Sequence, residues 1–153
     1  MNTNKIITSA IVGTTAMTLF SYLVSKSKNR NFVEPDVLGQ LIERGTNNSS
    51  ENTSKIGGWG GHYAIGILFV IIYNELWRDK MVNPSLTSGA ILGTVSGVAG
   101  VAAWKAMFDA HPNPPSKNLP RYFGHLILAH IVFGVFSALT YKISSEKKLD
   151  FNE

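Results

Sequence analysis

The chain has 153 residues, with 14 Lys or Arg, 10 Asp or Glu, a net charge of +4 at pH 7 and no cysteine. Charged residues make up 16% of it, against roughly 25% in ordinary soluble domains. Disulfides, thiolate metal sites and cysteine nucleophiles are excluded. A soluble globular domain, a disordered chain and a secreted disulfide scaffold are excluded by how the charges are distributed. Every Asp, Glu, Lys and Arg lies outside four windows, 6–25, 56–74, 81–104 and 122–141. A helix needs about 20 mostly apolar residues to cross the hydrocarbon core of a bilayer, and each window is of that length. The mean hydropathy of +0.07 is low because polar loops and tails dilute the average.

In chain order, the spans are expected at about 6–25, 57–77, 84–106 and 120–142, with a polar loop over 26–56, all in one integral membrane domain. The first has Lys5 in front and runs into Ser25-Lys26-Ser27-Lys28 with no small-residue cleavage site, so it reads as a retained helix. In the loop, Asp36 suits a helix N-cap and Gly45 a C-cap, and Val37, Leu38, Leu41 and Ile42 share a face. A short amphipathic helix lying on the membrane surface is expected there. The Asn/Ser/Thr-rich residues 46–54 read as a mobile stretch. Trp59 and Trp77 frame the second span at positions suited to the two interfaces. Pro84 introduces the third, which carries Gly89, Gly93 and Gly97 at GxxxG spacing. That groove invites close approach of another helix, with span one near Gly13 the expected partner. The turn before span four, His111-Pro112-Asn113-Pro114-Pro115, reads as extended and stiff.

The chain also repeats itself. Ala10-Ile11-Val12-Gly13-Thr14 in span one is echoed by Ala90-Ile91-Leu92-Gly93-Thr94 in span three. His62, Gly66 and Tyr73 in span two are echoed by His130, Gly134 and Tyr141 in span four, as His-x3-Gly-x6-Tyr. Offsets of 4 and 11 residues return to one helical face, so each hairpin would carry a His–Gly–Tyr stripe. The expected fold is all-α: a four-transmembrane-helix bundle made of two duplicated helical hairpins, with a short interfacial helix after the first span.

Ala16-Met17-Thr18 in a Gly/Thr-rich first helix, His62 with Tyr73, the glycine-rich third helix and a proline-rich turn before Phe123-Gly124-His125-Leu126 together resemble the small inner-membrane proteins of the YagU-like type. The likeness covers most of residues 5–142. It implies a multi-pass protein of the bacterial inner membrane connected with acid or envelope stress, and it carries over no catalytic residue.

The candidate polar stripe is His62, Tyr73, His130 and Tyr141, with His111 and His125 as secondary candidates. All four histidines fall in one half of the bilayer. Three readings of them stay open. They tie the bundle together through hydrogen bonds, they line a proton or small-solute pathway, or they ligate haem or a metal. The cofactor and the metal are unassigned. His62 opposite His130 is a better ligand pair than His125 with His130, which lie about 140° apart on their helix. No nucleophile elbow, phosphate loop, HExxH or paired intramembrane carboxylate is present, which leaves a non-enzymatic structural or stress-related role first and an enzyme acting on lipid as the remaining alternative. Basic residues flank the apolar windows, where they meet lipid headgroups, and no aromatic-interleaved basic motif points to nucleic acid. Membrane lipids are the expected partners, with a homo-oligomer or a membrane partner protein left open. Orientation is nearly balanced, with eight basic residues on the loop side against six on the other. Three of them follow span one and one precedes it, which points to both termini outside.

Overall fold

A computed structural model describes residues 3–46 and 50–150, with side chains as far as Ser145. The order is α1 (Thr3–Lys28), α2 (Glu34–Gly45), α3 (Glu51–Arg78), α4 (Leu86–Ala110) and α5 (Leu119–Asp150). The four long helices are each long and apolar enough to cross a membrane. The chain is an all-α, multi-span membrane protein with one shorter helix after the first span. Because the long helices alternate in direction, α2 shares one end of the bundle with the end of α1, the start of α3, the end of α4 and the start of α5. The start of α1 and the end of α5 are at the other end.

Two local readings differ from the expectation. α2 starts earlier than Asp36, with Val33 as its N-cap, no side-chain cap bond, and Pro35 in its first turn. Proline is preorganised for that turn and needs no N–H there, so the helix begins where proline allows. The shift brings Glu34 into the helix. α3 likewise starts inside the stretch read as mobile, because the Ser50 side chain caps it by accepting from the Thr53 N–H at 3.2 Å. Residues 47–49, the rest of that stretch, lie outside the described residues.

α2 is docked onto α3. Val37 and Leu41 are buried, and a Cβ on Gly58 would strike the Pro35 carbonyl and Gly39. The two helices meet backbone to backbone at Gly39 and Gly58, which only glycine permits. His111 secures the far end. Its Nδ1 accepts from the Asn113 N–H at 3.0 Å, so its Nε2–H donates to the Leu41 carbonyl at 2.9 Å. That bond ties the turn before α5 to the last part of α2.

The helix order across the bundle is α3, α1, α5, α4. The glycines of α4 do not pack on α1 as expected. Gly89, Gly93 and Gly97 all abut α5, where a Cβ on Gly93 would collide with the His130 carbonyl and Ile131 Cα. Gly134 of α5 faces Gly89 and Gly93 in return, so two glycine grooves lie against each other and the backbones touch. Gly13 of α1 also abuts α5, at Ser137 and Phe133. α5 therefore occupies the place between α1 and α4.

α3 and α4 share no continuous seam. They are joined near the terminal end by Tyr73, whose hydroxyl donates to the Leu92 carbonyl at 2.9 Å and lies 2.7 Å from Ser96 Oγ. Trp77 is buried there against Tyr73 and Tyr141, turned inward from the lipid interface expected for it. Toward the α2 end the two helices part.

Candidate functional site: a lateral cavity with a buried polar ladder

The parting of α3 and α4 leaves a cavity of about 550 Å³. Its mouth is formed by Ile65 and Leu68 of α3 and by Ala99, Ala103 and Met107 of α4, all exposed on the outer surface of the bundle. The cavity therefore opens sideways, toward the acyl chains of the bilayer. Its inner wall carries His62, His130, Glu34, Thr14 and Trp104. No Lys or Arg is among the described residues that line it.

One face of α1 organises the polar groups. Thr14, Thr18, Ser21 and Ser25 recur at steps of 4, 3 and 4, which is one helical stripe. Ser25 Oγ accepts from the Phe32 N–H at 2.8 Å and so holds the approach to α2. Ser21 Oγ donates to Glu34 Oε1 at 2.7 Å and lies 2.8 Å from His125 Nε2. Thr18 Oγ1 donates to the Thr14 carbonyl at 2.8 Å and lies 2.9 Å from His62 Nε2. A threonine has one hydroxyl hydrogen, so His62 Nε2–H is the donor to Thr18 and its Nδ1 is free to accept. His130 donates Nδ1–H to the Leu126 carbonyl at 2.8 Å, which leaves its Nε2 as an acceptor on the cavity side, next to Gly100.

Glu34 is the least expected member. Its loop position hid it, yet it is 2% exposed. Its Oε1 is 3.8 Å from His125 Nε2, and its Oε2 has no partner among the described residues. Burial pushes the carboxyl up to about 8, against the lowering pull of the Ser21 hydroxyl. Phe20 stacks on His125 with ring planes 3° apart, and Phe32 lies 4.7 Å from it on centroids, so the Glu34–Ser21–His125 chain is closed off by aromatic rings. The serine is in the middle, hydrogen-bonded to both groups, and is not among the residues that line the cavity. The chemistry this permits is proton exchange between Glu34 and His125 through the Ser21 hydroxyl, not nucleophilic attack. The Tyr122 hydroxyl is likewise buried with no partner among the described residues.

The residues singled out from the sequence are thus divided by the fold. His62 and His130 line the same cavity. His125 belongs to the Glu34 chain, and His111 pins the loop to α2. Tyr73 and Tyr141 are elsewhere, toward the terminal end, where the Tyr141 hydroxyl donates to Asn74 Oδ1 at 2.8 Å. Phe133 separates the groups, with its ring centroid 6.4 Å from His130 and 6.0 Å from Tyr73. Phe69 packs against both Phe133 and His130. The polar ladder therefore ends at an aromatic layer in mid-bundle. The α1 stripe was readable as Thr14-x3-Thr18-x2-Ser21-x3-Ser25. Nothing local in the sequence marks Glu34.

Among the described residues, no three His, Cys, Asp or Glu stand close enough to hold a metal ion. A second, shallower cavity of about 340 Å³ gathers Arg30, Lys117 and Arg121 at the same end of the bundle. Cations thus collect outside the bundle base, and the carboxyl is inside it.

The chain matches no family model, no curated protein and no solved structure.

Proposed function

We infer that this is a non-enzymatic membrane protein that binds a lipid-soluble ligand in the lateral cavity between α3 and α4. The observation that carries this reading is the sideways mouth at Ile65, Leu68, Ala99, Ala103 and Met107 leading to buried His62, His130 and Glu34. A pocket of several hundred Å³, mostly apolar with a few polar groups converging on it, is the usual form of a small-molecule site. The aromatic layer at Phe69 and Phe133 speaks for a blind cavity over a through-going pore, so binding is favoured over permeation.

A two-hairpin origin, read from the repeated sequence pattern, is part of the same proposal. α1 packs on α3 as α4 packs on α5, with Gly66 against Thr14 in one pair and Gly134 against Gly93, one register position away from Thr14's counterpart, in the other. Under that relation the closed α1–α5 seam corresponds to the open α3–α4 seam, so the cavity lies where the pseudo-symmetry is broken. A place in the bacterial inner membrane and a role in envelope or acid stress rest on the YagU-type resemblance alone.

Trp104 tests the reading. It is 8% exposed and lines the cavity, so acyl chains reach it by that route. In dodecyl maltoside brominated along its chain, the fluorescence component that disappears in Trp104→Phe should be strongly quenched. Replacing Ala99 and Ala103 with Phe narrows the mouth and should restore most of that signal. Equal quenching with the mouth open and narrowed would show that no chain enters, and the reading would be abandoned.

A further inference from the structure

The cavity contains a chemical mismatch that specifies its ligand further. Its polar groups are two acceptors and an acid, with the Thr14 hydroxyl and the Trp104 indole as neutral donors. His130 Nε2 and His62 Nδ1 carry lone pairs, and Glu34 brings a carboxyl with one oxygen unpartnered. No cation from the described residues answers them inside the cavity, while Arg30, Lys117 and Arg121 are held outside. A buried carboxylate without a counter-ion is expensive, and a ligand that brings the missing cation gains what the protein lacks. A phosphate or carboxylate headgroup would meet the Glu34 carboxyl and the imidazole lone pairs, with no cation and only the neutral donors of Thr14 and Trp104 to set against them.

We propose that the cavity recognises a lipophilic amine, with its ammonium paired to Glu34 at the α2 end and its apolar body lying in the groove between α3 and α4. This rests on the ligand-binding reading above and names the chemical class. Glu34 is suited to the pairing by its setting. Ser21 of α1 holds one carboxyl oxygen, and the other is buried with no hydrogen-bond partner among the described residues. From α5, His125 and Tyr122 face the carboxyl; from α3, His62 shares the cavity wall; from α2 itself, Asp36 adds a like charge. α4 presents Trp104 and Met107, a ring face and a thioether, both of which tolerate a cation. The mouth is apolar and suits an alkyl chain of the ligand.

The test compares brominated dodecylamine, dodecanol and dodecyl phosphate at equal mole fraction in maltoside micelles, read through Trp104 quenching in the full-length protein. In the wild type the amine should quench at a mole fraction at least about tenfold lower than the alcohol, and the phosphate should be the weakest. Glu34→Gln keeps the side-chain shape and should bring amine and alcohol to within about twofold. Glu34→Asp should retain a preference for the amine. Equal affinity for amine and alcohol in the wild type overturns the proposal, as does a preference that survives Glu34→Gln. Should Glu34→Gln fail to fold, the phosphate arm decides, since binding as tight as the amine overturns the assignment. If none of the three probes quenches Trp104, the ligand-binding reading itself falls.

Discussion

Gly93→Leu should destabilise the bundle by at least about 3 kcal/mol, at or beyond the upper end of ordinary overpacking. The reason is where the new atoms must go. A Cβ at Gly93 already overlaps the His130 carbonyl, and Ile131 Cα lies 2.8 Å from it. These are backbone atoms of α5, which no rotamer change can move aside. Gly134, on the facing surface, meets Gly89 and Gly93 in the same way, so Gly134→Leu should be as damaging. Relief requires α4 and α5 to separate along their length, which breaks the longest seam of the bundle and distorts the wall carrying His130. Gly60→Ala is the matched control, because a Cβ there meets nothing within 4 Å. It should leave stability within about 1 kcal/mol of the wild type. Thermal or SDS-induced unfolding in detergent, followed by helical circular dichroism, measures all three. A Gly93→Leu protein as stable as wild type would mean that α4 and α5 do not touch at this point.

The wild type should lose stability as pH rises from about 4.5 to about 8, and Glu34→Gln should lack this loss. The sign follows from the carboxyl. Its folded value is about 8, above the ordinary 4.5, because burial disfavours the charged form. Below pH 4.5 both folded and unfolded chains hold the proton, and the neutral acid is fully accommodated. Between the two values the unfolded chain releases the proton and the folded chain retains it, so unfolding becomes steadily easier. Above pH 8 the difference is constant. A gap of this size corresponds to a few kcal/mol, on the order of 3–5. The stability difference between Glu34→Gln and wild type should therefore be small near pH 4.5 and favour the variant by that amount at pH 8.5. Taking the difference cancels the groups remote from Glu34, while His125, joined to it through Ser21, contributes to the difference. A difference that does not change with pH would show that Glu34 ionises freely and is not enclosed. A saturating lipophilic amine should also flatten the wild-type profile, since the ammonium stabilises the ionised carboxyl.

The sequence was informative wherever a local property decides the outcome. Lipid cannot hydrate charge or an open backbone, so four charge-free windows of spanning length had to become four helices. The short helix after the first span was visible because Val37, Leu38, Leu41 and Ile42 recur on one face. Its N-cap lies three residues before Asp36, at Val33, because Pro35 governs the first turn more strongly than Asp36 caps it. The early start of α3 followed from Ser50, a cap that a polar, loop-like composition concealed.

Local composition and periodicity thus assign the solvent of each segment and the faces that must turn inward. The glycine stripe had to meet a helix, and the histidines had to leave the lipid. Which helix the glycines meet was decided by the tertiary structure, because Gly134 on α5 offers a reciprocal groove that Gly13 on α1 does not. The meeting of Ser21, Glu34 and His125 was decided there too, across a separation of 104 residues between the serine and the histidine. It depends on α2 folding back onto α3 at Gly39 and Gly58, a contact between two backbones that leaves no periodic trace in either segment. The cavity is of the same kind. It exists because α3 and α4 are fastened at Tyr73 and part beyond it, and the absence of a seam between two helices is a property of their packing, not of either sequence.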